Sequence, residues 1–166
     1  MRYIPWFILA YVVLGLQSGL SPYISIDGSP PNLLLPVAIF IALYAPRDAA
    51  LLGTYVLGLM QDMLSLEPLG VHALVYAAVT LGVRYSQPLL FREHWITHLL
   101  LGLTGGVLHA MILVLVGFRL APAPPIMMLA TYVLYTTAIT PLMLYPLQKC
   151  KRFFGFQAKR NVPGRV

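Results

Sequence analysis

Six apolar stretches follow one another with breaks too short to hold anything else, and this leaves the chain little choice of fold. They run over residues 3–20, 32–45, 49–66, 70–87, 94–118 and 126–148. A spanning helix needs roughly 20 apolar residues, with a working range of about 17 to 25. The expectation is an all-α, polytopic membrane protein: a six-helix transmembrane bundle over 1–148, followed by a basic cytoplasmic tail over 149–166. The second stretch is short. It either extends back through Pro30 and Pro31 or stops short of a full crossing. The third and fourth are joined by a tight turn around Glu67 and Pro68, which makes them a helical hairpin.

Composition agrees: 59% of the residues are hydrophobic and 10% charged, too apolar for a soluble domain. The net charge of +6 invites a nucleic-acid reading, but its placement argues against one. With the N-terminus inside, the cytoplasmic face carries Arg2, Arg47, Arg84, Arg92, Lys149, Lys151, Arg152, Lys159, Arg160 and Arg165, and the outer face carries only Arg119. That asymmetry fits six crossings with both termini cytoplasmic. The basic tail is expected to meet anionic membrane lipid. Arg2 followed by an apolar run resembles a signal peptide, but no small-residue cleavage site follows, so the segment reads as an uncleaved helix. Tyr3, Trp6, Tyr23, Tyr44, Tyr85, Trp95 and Tyr145 fall near helix ends, where an interfacial aromatic belt belongs. The lone cysteine, Cys150, excludes an internal disulfide framework.

The costliest residue is Asp62. A carboxylate at the bilayer centre costs roughly 2.5–3.5 kcal/mol on insertion scales, so it should face protein or a water-filled cavity. Helix three carries Thr54, Gly58, Gln61, Asp62 and Ser65 on one face and Leu52, Val56, Leu59, Met63 and Leu66 on the other. At about 1.5 Å per residue, Asp62 lies roughly 20 Å from the inner end of its helix. Gln17 and His109 fall at similar depth, and His72 opens helix four. These four are expected to converge in the outer half of the membrane, with Asp62 accepting a hydrogen bond from His72, His109 or Gln17. Such a cluster is either a small ligand or proton site or a polar network that glues helices together; packing is the commoner use. Asp48 after Pro46 reads as the N-cap of helix three, and Gly70 after Pro68 suits a tight turn.

Other patterns carry less. His94 and His98 have i, i+4 spacing, but HWITH lacks the Glu of H-E-x-x-H and has no evident third ligand, so no metal is expected. Gly15 and Gly19, and Gly102 and Gly106, each form G-x-x-x-G, a stripe that lets helices approach closely within the bundle or, as a further option, in a homodimer. Thr136, Thr137 and Thr140 precede Pro141, and their hydroxyls can serve carbonyls that the proline leaves free. No G-x-S-x-G, facing aspartate pair, Gly-rich phosphate loop or Cys-His arrangement is present. Neither catalysis nor a cofactor is expected.

The stretch PNLLLPVAIFIALYAPRDAALLGTYVLGLMQDMLSLEPLGVHALVYA, residues 31–77, resembles the bacterial rod shape-determining MreD family. Gly58, Leu59 and Asp62 match its helix-three ending, Pro68, Leu69 and Gly70 its turn, and Ala73, Leu74 and Tyr76 the run that follows. Asn32 stands where an Asp is common. The resemblance implies a fold related to the substrate-binding subunits of energy-coupling-factor vitamin transporters. It also implies a non-catalytic role in the inner-membrane machinery that builds lateral-wall peptidoglycan. The implied partners are MreC, the MreB cytoskeleton, the RodA glycosyltransferase and its class B penicillin-binding transpeptidase. The outer loop over 21–31, rich in Gly, Pro and Asp, is a candidate contact for a periplasmic partner. The competing reading is a vitamin-like substrate-binding subunit of a transporter on the same framework.

Overall fold

The computed structural model describes residues 3–26, 28–65, 68–87, 94–117, 125–151 and 153–154. Among them the chain forms α1 (Tyr3–Ile24), α2 (Leu34–Tyr44), α3 (Arg47–Asp62), α4 (Val71–Ser86), α5 (Trp95–Gly117) and α6 (Ile126–Lys149). Among the described residues the one β-type pairing is an isolated bridge, Ile26 with Ser29, closed around Gly28 at φ +77°. The structure is therefore an all-helical bundle of the kind a polytopic membrane protein builds. Three helices, α1, α5 and α6, are long and apolar enough to cross a bilayer.

The shortest helix organises the rest. α2 contacts all five others, and every residue from Leu34 to Leu43 is buried. Its sequence LLPVAIFIALY has no polar stripe, as expected of a helix covered on all sides. A helix of 11 residues is about 16 Å long, and in this dry setting its end groups need partners from other elements. At the start, Leu33 N–H donates to Gln17 Oε1 (2.6 Å), and Leu34 and Leu35 N–H both donate to Asn32 Oδ1 (3.0 Å each). The next residue, Pro36, has no N–H to satisfy. At the far end Gln87 Nε2 donates to the Ala42 carbonyl (3.2 Å), and Arg84 donates to that of Ala45. The second stretch thus does not continue as helix through Pro30 and Pro31.

Two boundaries differ from expectation. α1 runs on to Ile24 through Pro22, and Ser25 Oγ–H donates to the Pro22 carbonyl at 3.3 Å. α3 stops at Asp62, where Leu64 and Ser65 N–H both turn onto the Gln61 carbonyl. The expected cap at Asp48 is corrected as well. α3 begins at Arg47, the Pro46 carbonyl already accepts Ala50 N–H at 2.7 Å, and no side chain caps the end. Asp48 therefore lies in the first turn, where its charge still suits the helix dipole.

The two glycine stripes part company. A Cβ on Gly102 would sit 2.6 Å from Thr140 Oγ1, and one on Gly106 would touch Val133 at 3.6 Å, so this stripe is where α5 meets α6. Around Gly15 and Gly19 nothing lies within 4 Å. That stripe does not pack inside the bundle, because α1 turns Trp6, Ala10, Val13 and Leu14 inward instead. Gly15→Ala and Gly19→Ala should leave the isolated protein as stable as before, or up to about 1 kcal/mol more stable per site. Thermal unfolding in detergent checks this; a lowered midpoint would mean the face is covered.

Trp6 is no belt residue. It is 4% exposed, and a Cβ on Gly53 would sit 3.5 Å from its Nε1, whereas Tyr23, Tyr85, Trp95 and Tyr145 are exposed. Of the basic residues, Arg2, Arg92, Arg119, Arg152, Lys159, Arg160 and Arg165 lie outside the described residues, as does Glu67. Arg47, Arg84 and Lys151 gather around the C-terminal end of α2.

Candidate functional site

The densest polar chemistry lies at the opposite end of α2. Asp62, the last residue of α3, is 2% exposed and receives four N–H groups. Oδ1 accepts His72 N–H (2.9 Å) and His72 Nδ1–H (2.8 Å); Oδ2 accepts Gly70 N–H (2.9 Å) and Ala73 N–H (3.3 Å). The carboxylate therefore caps α4, filling its acceptor sites with the helix's free N–H groups and facing the positive end of its dipole. Gly70 adopts φ +99° just before α4, a conformation that favours glycine and brings its N–H to the carboxylate. These bonds offset the cost of burying the carboxyl group away from water. Asp62→Asn would press an amide NH₂ against backbone donors, and a loss of about 2 kcal/mol is expected. An unchanged unfolding midpoint would show that the start of α4 does not depend on this carboxylate.

The second centre is Asn32, 2% exposed, just before α2. Its backbone N–H donates to Thr136 Oγ1 at 3.1 Å. Its Nδ2 donates to His109 Nδ1 (3.1 Å) and to the Tyr132 hydroxyl (3.1 Å), while Tyr132 Oη lies 2.7 Å from His109 Nδ1. Both contacts cast His109 Nδ1 as an acceptor, so a neutral ring carries its proton on Nε2, which is buried without a hydrogen-bond partner. Asn32 Oδ1 accepts two backbone N–H groups and also the Tyr76 hydroxyl at 3.0 Å. Tyr76 contacts the Gln61 amide too. One hydroxyl proton cannot serve both; since Asn32 Oδ1 is fixed as an acceptor, Gln61 must turn its NH₂ towards Tyr76. The two centres touch through rings, His72 standing edge-on to His109 with centroids 4.8 Å apart.

Of the four residues expected to converge, Asp62 and His72 share a hydrogen bond and His109 joins them by ring contact. Gln17 does not reach Asp62. It bridges the Pro31 carbonyl (3.0 Å) and Leu33 N–H, on the far side of Asn32. Asn32, Tyr132 and Thr136 carry much of the node and were not singled out for it from the sequence. The available signal was Asn32 itself, a polar residue directly before a wholly apolar run. Near Pro141, Thr137 and Thr140 hydroxyls donate to Val133 and Thr136 carbonyls (2.7 and 2.8 Å), not to the Thr137 carbonyl that the proline leaves without its usual donor. His94 and His98 do not act together. His98 is buried on Gln148 (2.7 Å) and His94 is exposed. Among the described residues no group of three or more acidic, His or Cys side chains is placed to hold a metal.

Chemically, the node orders five helices and the approach to α2. Asp62 is occupied as a cap, and His72 Nδ1 is occupied by Asp62. No curated protein and no solved structure matches the chain. The family model described as rod shape-determining protein MreD matches residues 1–149. With all six helices inside that match, the chain belongs to the MreD family of rod shape-determining membrane proteins.

Proposed function

We propose that this chain is a non-catalytic scaffold of the rod elongation complex, sitting in the bacterial inner membrane and binding MreC. Through that contact it supports lateral-wall peptidoglycan synthesis alongside MreB, RodA and the class B transpeptidase. The observation that carries the reading, beyond family membership, is the use to which the costly polar groups are put. Asp62, His72, Asn32 and Gln17 serve helix ends and one another. A protein that invests its polar side chains in holding six helices in one arrangement is suited to presenting faces to partners.

The proposed topology has six crossings with both termini in the cytoplasm, 1–148 in the membrane and 149–166 as a tail. α2 supplies about 16 Å of its crossing. The non-helical run 30–33 can add up to about 13 Å, which brings the two close to the roughly 30 Å hydrocarbon core. Irregular backbone at that depth requires side-chain partners, and Gln17, Asn32 and Thr136 provide them. The gathering of Arg47, Arg84 and Lys151 at the other end of α2 fits a cytoplasmic face there.

The test is purification in mild detergent from native membranes, with mass spectrometry of the proteins and small molecules that accompany the chain. Recovery of MreC with the wall-synthesis enzymes is the expected result. A stoichiometric vitamin-like ligand together with an ATPase module would replace the scaffold reading with the transporter one.

A further inference from the structure

The last described residues fold back onto the C-terminal end of α2. Beyond α6, Lys151 N–H bonds the Gln148 carbonyl (3.2 Å) and Phe153 N–H bonds that of Cys150 (2.9 Å), which reverses the chain. The reversal drives Phe154 into the core. It is 6% exposed and meets Phe40 of α2 edge-on, centroids 5.6 Å apart at 72°. Its neighbour Phe153 is 71% exposed. Lys151 places Nζ 5.6 Å from the centroid of the Tyr44 ring, at the last residue of α2. An apolar ring delivered by a polar turn to the end of a buried helix is more than tail packing, because of what α2 connects.

We propose that this turn is a latch, with Phe154 as its bolt, that fixes α2 lengthwise and so couples the tail to the Asn32 node at the helix's other end. Three observations carry it. α2 has no lipid face, since Leu34–Leu43 are all buried, so it can move only as a rod within close-packed surroundings. Its far end hangs on side-chain bonds from Gln17, Asn32 and Thr136, which hold for one lengthwise position of the helix. Its near end is held by Arg84, Gln87 and the Phe154 ring. Whatever draws the turn away from the bundle therefore loosens the node, and by linkage a change at the node loosens the turn.

Amide hydrogen exchange on the whole protein in lipid nanodiscs tests both directions. Phe154→Ala should accelerate exchange about tenfold at residues 42–45 and also at 33–35, some 16 Å away along the helix. Phe153→Ala, at the exposed neighbour, should change neither. Phe154→Leu keeps most of the bulk and should fall between them, which preserves the test if the alanine variant does not fold. Reciprocally, Thr136→Val, which removes the acceptor of Asn32 N–H, should accelerate exchange at 151 and 153. Acceleration confined to 42–45 would overturn the coupling and leave only a local plug. Equal effects from Phe153→Ala and Phe154→Ala would overturn the latch itself.

Discussion

Gly58→Ala is expected to break the α3–α4 hairpin, a large effect for one methyl group. A Cβ at this position would lie 2.4 Å from Ala73 Cα, 2.5 Å from Ala73 N and 2.7 Å from the His72 carbonyl carbon. These are backbone atoms of the facing helix, so no rotamer change relieves the clash. Ordinary carbon contacts sit at about 3.5–4.0 Å, so the helices must part by an ångström or more. That separation acts where Asp62 binds Gly70, His72 and Ala73 N–H at 2.9–3.3 Å, and those bonds do not survive such a displacement. Overpacking costs about 1–3 kcal/mol, and each buried N–H left without a partner about 1–3 kcal/mol more. A total loss of roughly 3–6 kcal/mol is expected, enough to leave little folded protein. Gly82→Ala is the internal comparison: nothing lies within 4 Å of its Cβ, so its unfolding midpoint in detergent should stay put. Equal behaviour of the two variants would show that the close approach at Gly58 is not what holds the hairpin.

Asp62 was readable because it breaks a rule that membranes enforce strongly. A carboxylate among apolar residues has to face inward, and that fixes the azimuth of α3 by itself. Helix positions were readable for a similar reason, since the spacing of apolar runs is set by bilayer thickness. Azimuths of the other helices were not, because lipid and protein interior are equally apolar and hydrophobic periodicity does not tell them apart. Gly15-x-x-x-Gly19 and Gly102-x-x-x-Gly106 look alike in sequence, yet one faces away from the bundle and the other meets Thr140. Gln17 serves α2 rather than α3. α2 itself was less legible: its shortness left its crossing open, and nothing in its apolar run says that all five other helices contact it.

Asn32→Ala should cost far more than an ordinary polar truncation, because one side chain serves four helices. It removes the cap of α2, worth about 1–2 kcal/mol at Leu34 and Leu35 N–H. It also removes one acceptor of the Tyr76 hydroxyl and the donor shared by His109 and Tyr132, all in a dry interior. A loss of roughly 3–5 kcal/mol is expected. Asn32→Asp separates the two roles. A carboxylate still caps α2 and still accepts from Tyr76, so that half of the stabilisation should remain. Its second oxygen cannot donate to His109 Nδ1, so His109 must turn donor there, moving its proton from Nε2 to Nδ1 or taking on a second one. The aspartate variant should therefore melt between the wild type and the alanine variant, and the ¹⁵N chemical shifts of the His109 ring should report a protonated Nδ1. If Asp proves as damaging as Ala, the donor bonds to His109 and Tyr132 outweigh the cap. If Ala is harmless, the start of α2 is held by Gln17 and Thr136 alone, and Asn32 is not the node the geometry makes it.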